Sequence, residues 1–223
     1  MLIYQNPSQW HQRLAALLSA RLLIILTAAS GINVGLALSA PLFMMLGWER
    51  LGKTIYKLYS LWCHQFHLSS WFVFGQRHFY NSKQFLDLAG IEYLNSLSKS
   101  ASQDFYGNPV MGWKFAYCQR DLAIFVGFFS ASLFYCILRD QQFIIPPAPL
   151  ILYLLFGLTP IALDGLSQLL SPLVSSLPIL ISHESSPMLR TATGFLFGSM
   201  SVWLAYPHLE AWMLAIRKRH RTA

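Results

Sequence analysis

Between Leu22 and Trp48 the chain carries no charged residue. At 1.5 Å per residue, a helix over this run is longer than the roughly 30 Å of a bilayer's hydrocarbon core. A stretch so long and so apolar predicts a membrane span. It also exceeds the apolar part of a cleaved leader, about 7–15 residues, so it reads as a retained helix. The composition agrees, with 55% hydrophobic and only 11% charged residues, against about 25% charged in soluble domains. The formal charge of +7 fits the Lys/Arg excess that membrane proteins keep near anionic lipid. Nucleic acid is not an expected partner, because no basic stripe is interleaved with exposed aromatics. Three cysteines do not make a disulfide framework.

Further apolar runs follow. Leu122–Leu138 lies between Asp121 and Arg139, Phe143–Leu163 follows a polar turn, and Thr193–Tyr206 comes last. The fold class expected is therefore all-α integral membrane, with about four transmembrane helices near 22–47, 122–138, 143–163 and 191–208. Residues 51–75 repeat Leu51, Ile55, Leu58, Trp62 and Phe66 at helical spacing, which predicts an amphipathic interfacial helix. Read as a span over 56–75, the same stretch would be a fifth. Residues 76–117 read as a polar, water-facing excursion, with a short helix over Ser82–Leu97 and a turn at Gly107-Asn108-Pro109. The domain plan is one membrane domain over 22–212, between an N-terminal tail 1–21 and a basic tail 213–223. Gly31/Gly35 and Gly194/Gly198 have the GxxxG spacing that lets helices approach closely. With four spans, both termini share one side, and Arg217, Lys218, Arg219 and Arg221 assign it to the cytoplasm of a plasma (inner) membrane.

That topology gathers polar residues on the opposite face. Cys118, Arg120 and Asp121 stand at the entrance of the second span, and Asp164 and Gln168 at the exit of the third. Arg190 stands at the entrance of the fourth, and Cys63, His64 and Gln65 on the amphipathic stretch. Ionisable groups at membrane depth are costly, and are kept either for function or as locked pairs. The structural alternative is that Asp121 or Asp164 pairs with Arg120 or Arg190 to fix helix ends.

Three chemistries suit these residues. Cys63, His64 and Cys118, with His67 as an alternate one helical turn from Cys63, can supply ligands to a zinc ion with an open position. Asp164 would then be a general base beside Asp121, Gln65 and Gln168, and Arg120 and Arg190 would clamp an anion. The substrate would be a lipid or a phosphate-containing molecule. Alternatively, Cys63 and Cys118 form a thiol pair, a redox pair working with a quinone or a plain disulfide. The third reading is a non-enzymatic carrier, flippase or assembly factor, which would need a second copy or another membrane protein to close a path. Cys136, inside an apolar span, reads as packing.

The same residues carry a family resemblance. Cys63-His64-Gln65, Cys118-Gln119-Arg120-Asp121, Asp164-Gly165-Leu166-Ser167-Gln168 and Arg190-Thr191-Ala192-Thr193-Gly194 occur in that order. The chain thus resembles an uncharacterised domain-of-unknown-function family of predicted bacterial and archaeal integral membrane proteins. Many of its members have Arg-Ser where this chain has Ser69-Ser70. The resemblance implies a membrane location and marks these motifs as the site, but it implies no reaction.

Overall fold

The computed structural model describes residues 7–89, 105–174 and 185–222. The polar run Asn95–Ser102 expected in the excursion lies outside them.

Helix α1 runs Pro7–Met45, and its apolar part, Arg21–Met45, is long enough to cross a membrane. It stops at Gly47, whose φ of 79° takes up the left-handed conformation that glycine adopts freely. The N–H of Trp48 reaches back to the Phe43 carbonyl at 2.9 Å, and the two rings stack at 5.7 Å. Hydrogen bond and apolar contact together make a Schellman-type stop, which turns the chain sharply into α2, Glu49–Tyr59. This helix buries Gly52, Ile55, Tyr56 and Tyr59, and Gly52 lies so close to Met44 that a Cβ would clash with its sulfur.

The helix expected over 51–75 ends at Tyr59. Gln65 has a φ of 49°, a single turn of 3-10 helix covers His67–Ser69, and strand β1 covers Ser70–Val73. Trp71, Phe72 and Val73 are of the aromatic and β-branched types that favour a pleated surface. Helix α3 spans Ser82–Ala89. Strands β2, Gly107–Asn108, and β3, Gly112–Cys118, complete an antiparallel sheet of order β1-β3-β2. Ser70 pairs with Cys118, and Val73 with Trp113. The all-α expectation is corrected here, and around this sheet Met111, Lys114, Ala116 and Tyr117 are buried.

Strand β3 passes directly into α4, Gln119–Asp140, the second apolar helix able to span. The third expected span starts later than Phe143. Pro146 and Pro147 precede the helix, and Pro149 caps it. Helix α5 begins at Leu150–Leu152, widens into a π-helical segment at Tyr153–Leu158, and continues as Thr159–Val174. Pro160 therefore sits inside a continuous helix, just after the π segment. Such a segment offers one way round the hydrogen bond that proline cannot donate. The last helix, α6, is Pro187–Thr222, so the expected basic tail continues a helix through 222. Among the described residues, three helices are long and apolar enough to cross a membrane: Arg21–Met45, Gln119–Asp140 and Leu150–Gln168.

Helices α4 and α6 share a seam of glycines. A Cβ on Gly198 would come within 2.1 Å of the Ile124 carbonyl oxygen, on Gly194 within 2.6 Å of that of Arg120, and on Gly127 within 2.4 Å of that of Phe195. The second GxxxG spacing is thus used on both its glycines. In the first, Gly31 abuts Phe129 while Gly35 faces open space. At the far end of the seam, Glu210 accepts from Tyr135 Oη at 2.7 Å and from Arg139 Nε at 2.5 Å.

Candidate functional site

The site lies where α2, β3 and the ends of α4, α5 and α6 converge. Beyond Tyr59 the chain leaves its helix, and the Gln65 side chain turns inward, its Nε2 donating to the Tyr56 carbonyl at 2.8 Å. Lys114 of β3 is fully buried, and its Nζ donates to the Gln65 carbonyl at 2.7 Å. Tyr56 Oη donates to the Lys114 carbonyl. Left-handed backbone costs a non-glycine residue roughly 1–2 kcal/mol, and these three bonds hold Gln65 in it. The Cys63–Gln65 loop is thereby fixed against β3.

Cys118 ends β3 and caps α4. Its N–H donates to Cys63 Sγ at 3.3 Å. Asp121 lies one turn further, and the sulfurs of Cys63 and Cys118 and a carboxylate oxygen of Asp121 all fall within 4.8 Å of one another. A second, side-chain contact, between its thiol and the Cys63 sulfur, pushes the Cys118 thiol well above its ordinary range. Burial and the negative charges of Cys63 and Asp121 push the same way. Three anionic donors so close together repel one another unless a proton or a cation sits among them. All three cysteines are free thiols, so the expected Cys63–Cys118 disulfide is not formed in this structure.

A pocket of about 190 Å³ opens beside these atoms. Cys63, His64, Gln65, Phe66 and Ser69 form one wall, and Cys118, Arg120, Asp121, Gln168 and Arg190 the other. Arg190 Nη1 donates to Ser69 Oγ at 2.8 Å. Arg120 forms an ion pair with Asp164, whose carboxylate is buried and carries a second oxygen, Oδ1, with no hydrogen-bond partner. Gln168 Nε2 donates to the Asp164 carbonyl at 3.1 Å. The paired-helix-end alternative is therefore realised for Arg120 and Asp164.

The structure brings Cys63, His64, Gln65, Cys118, Arg120, Asp121, Gln168 and Arg190 to one cavity, with Asp164 behind Arg120. The helical turn expected to bring His67 beside Cys63 is absent, because α2 ends at Tyr59, and the His67 ring stacks on Phe85 at 3.8 Å between centroids. Sequence reasoning missed Ser69, Phe66 and Lys114, and also Gln119, which is buried with Nε2 donating to the Ser70 carbonyl at 3.2 Å. For Lys114 a signal was present, a lone cation in the aromatic run Trp113–Tyr117. Asn33, the polar residue between the first pair of glycines, accepts at its carbonyl from Tyr59 Oη at 2.6 Å and at Oδ1 from Tyr117 Oη at 3.2 Å. It thus ties α1 to both α2 and β3.

Residues 109–204 match the model of a family described as "Predicted membrane protein (DUF2085)". The chain is also similar to an uncharacterised protein of Methanocaldococcus jannaschii, 26% identical over 174 residues, covering 75% of this chain and 80% of that one. No solved structure matches the chain. Together with the three apolar helices among the described residues, these similarities support a membrane protein.

Proposed function

We propose that the chain is a metal-dependent membrane enzyme, with a zinc ion held by Cys63, Cys118 and Asp121 and a substrate that is a lipid or a phosphate-containing molecule. The observation that carries this reading is the convergence of the three donor atoms within 4.8 Å at the wall of a polar pocket. Two sulfurs and one carboxylate leave a tetrahedral ion one open position, and bound zinc supplies a water of lowered pKa or polarises an oxygen. His64 lines the same pocket and is placed to shuttle a proton or to serve as a fourth ligand. Arg120 and Arg190 would bind the anionic part of the substrate, with Gln65 and Gln168 contributing polar contacts. Asp164, buried against Arg120, serves this reading as the counter-ion that orients the guanidinium.

The same reading places the site on the non-cytoplasmic face of a plasma membrane. It takes α6 as a fourth span, with both termini in the cytoplasm.

Metal analysis of the full chain purified in detergent tests the proposal. About one zinc per chain is expected, lost in both Cys63→Ser and Cys118→Ser. Purified protein without stoichiometric metal, still unable to take zinc up on addition, would sink it. A thiol redox role is favoured by one specific observation, the 3.3 Å contact of Cys118 N–H with the Cys63 sulfur. It would take over if the two thiols react with alkylating reagents only after reduction.

A further inference from the structure

We infer that the ligand of this pocket is the phosphate-bearing headgroup of an anionic membrane phospholipid, which enters sideways from the leaflet while its acyl chains stay outside. The inference takes the proposed site as its starting point and names what the pocket holds.

Depth is the first argument. One of the apolar helices ends at Met45, and another begins at Gln119. Gln168, Cys118 and Arg120 line the pocket. The cavity therefore lies at the level where the hydrocarbon stops, in the headgroup layer.

Size is the second. At about 190 Å³ the pocket is smaller than the roughly 300–1,000 Å³ that encloses a drug-sized molecule. It has room for a polar head and none for the chains of a lipid.

The rim is the third. Phe66 lines the pocket and is 40% exposed, while Leu61 and Trp62, just before Cys63, are 74% and 79% exposed. Tryptophan concentrates at the membrane–water boundary, where its ring meets both environments. Trp48, Leu51 and Leu58 extend this exposed apolar strip along α2. Beside it lie exposed Arg50, Lys53 and Lys57, of which Lys53 pairs with Glu49. An apolar strip flanked by cations is the pattern of a helix resting in an anionic leaflet. Such a helix would bring lipid to the mouth.

Inside the mouth, Arg120 and Arg190 supply the planar, multi-donor groups that suit phosphate oxygens. Ser69 Oγ, 2.8 Å from Arg190 Nη1, aims that guanidinium from the wall opposite α4.

The test is native mass spectrometry of the full chain, released from nanodiscs of phosphatidylcholine containing a minor fraction of phosphatidylglycerol. One phosphatidylglycerol is expected to stay bound per chain, in preference to phosphatidylcholine. Arg190→Gln should lower its retention at least about tenfold, the scale of losing a charged hydrogen-bond donor. Joint Trp62→Ala and Phe66→Ala should lower it severalfold. Soluble glycerol phosphate at equal concentration should not displace it. Retention without preference for the anionic lipid, or unchanged in Arg190→Gln, overturns the inference. Displacement by glycerol phosphate overturns it in favour of a soluble phosphate ester. The lipid preference is read on wild-type protein, so it stands even where a variant fails to fold. Zinc measured in the same samples is a separate reading: lipid retained without metal leaves this inference standing and removes the metal, and metal without lipid does the reverse.

Discussion

Lys114 and Gln65 come from segments 49 residues apart, and they meet through a 2.7 Å hydrogen bond from a fully buried ammonium to a main-chain carbonyl. Lys114 lies four positions before Cys118 on the same strand, and Gln65 two positions after Cys63. One strand thus carries one thiol of the site and clamps the loop that carries the other. Lys114→Met should leave the Gln65 carbonyl buried without its donor, at a cost of about 1–3 kcal/mol. The zinc affinity of the purified chain should fall as well. Cobalt substitution gives the readout, because the thiolate charge-transfer bands should weaken in Lys114→Met and recover in part in Lys114→Arg.

The Arg120–Asp164 pair should behave as a unit. Asp164→Asn strands a largely buried guanidinium, and breaking a buried pair from one side costs about 3–5 kcal/mol. Adding Arg120→Gln should restore part of that loss. Unfolding of the single and double variants in detergent measures the coupling, and additive effects would show that the pair does not act together.

The glycine seam predicts a sharp contrast between two chemically identical changes. Gly198→Leu must push a side chain into the Ile124 carbonyl of α4, 2.1 Å from the nearest Cβ position, and overpacking of this kind costs about 1–3 kcal/mol. Gly35→Leu meets nothing within 4 Å. Stability in detergent should drop in the first and hold in the second.

Bound metal should protect two cysteines and not the third. Adding zinc to metal-stripped protein should slow alkylation of Cys63 and Cys118 together. Cys136, whose sulfur lies 3.4 Å from Thr27 Oγ1 inside the helical bundle, should alkylate at an unchanged rate. Peptide mapping after timed labelling distinguishes the three.

Sidedness can be checked in intact cells. A membrane-impermeant thiol reagent should reach Lys57→Cys, on the exposed face of α2, from outside. Asp140→Cys, at the opposite end of α4, should label only after permeabilisation. The reverse pattern would invert the topology.

The apolar spans were legible because a charge-free run of membrane length has few alternatives, and Leu22–Trp48 is such a run. The site was legible for a related reason. Cys118, Arg120 and Arg190 stand where apolar helices begin, and Asp164 and Gln168 interrupt one, so each polar group needs a partner or a task. The sheet was not legible. Its strands are short, and β1 follows a helix whose apolar period continues through Trp62 and Phe66 as far as the sequence shows. That helix ends at Tyr59, and the left-handed turn at Gln65, held by Tyr56 and Lys114, keeps it from resuming. Those partners are long-range, and a local period does not contain them. His67 was misplaced for the same reason, since a pair at i, i+4 meets only while the helix lasts. Ser69, noted only as a departure from the family pattern, carries no sign of its role until Arg190, 121 positions later, lies beside it.

The direct passage of β3 into α4 at Cys118 leaves no slack between the clamp and the span. Inserting one residue between Lys114 and Asp121 would send alternate strand side chains to the opposite face or turn the helix by about 100°. Either would part the two thiols, or would carry Gly127 away from Phe195. Tolerance to length change should therefore vanish across this junction even where single substitutions are accepted, and a deletion scan would show it as a gap bounded by Gly112 and Gly127.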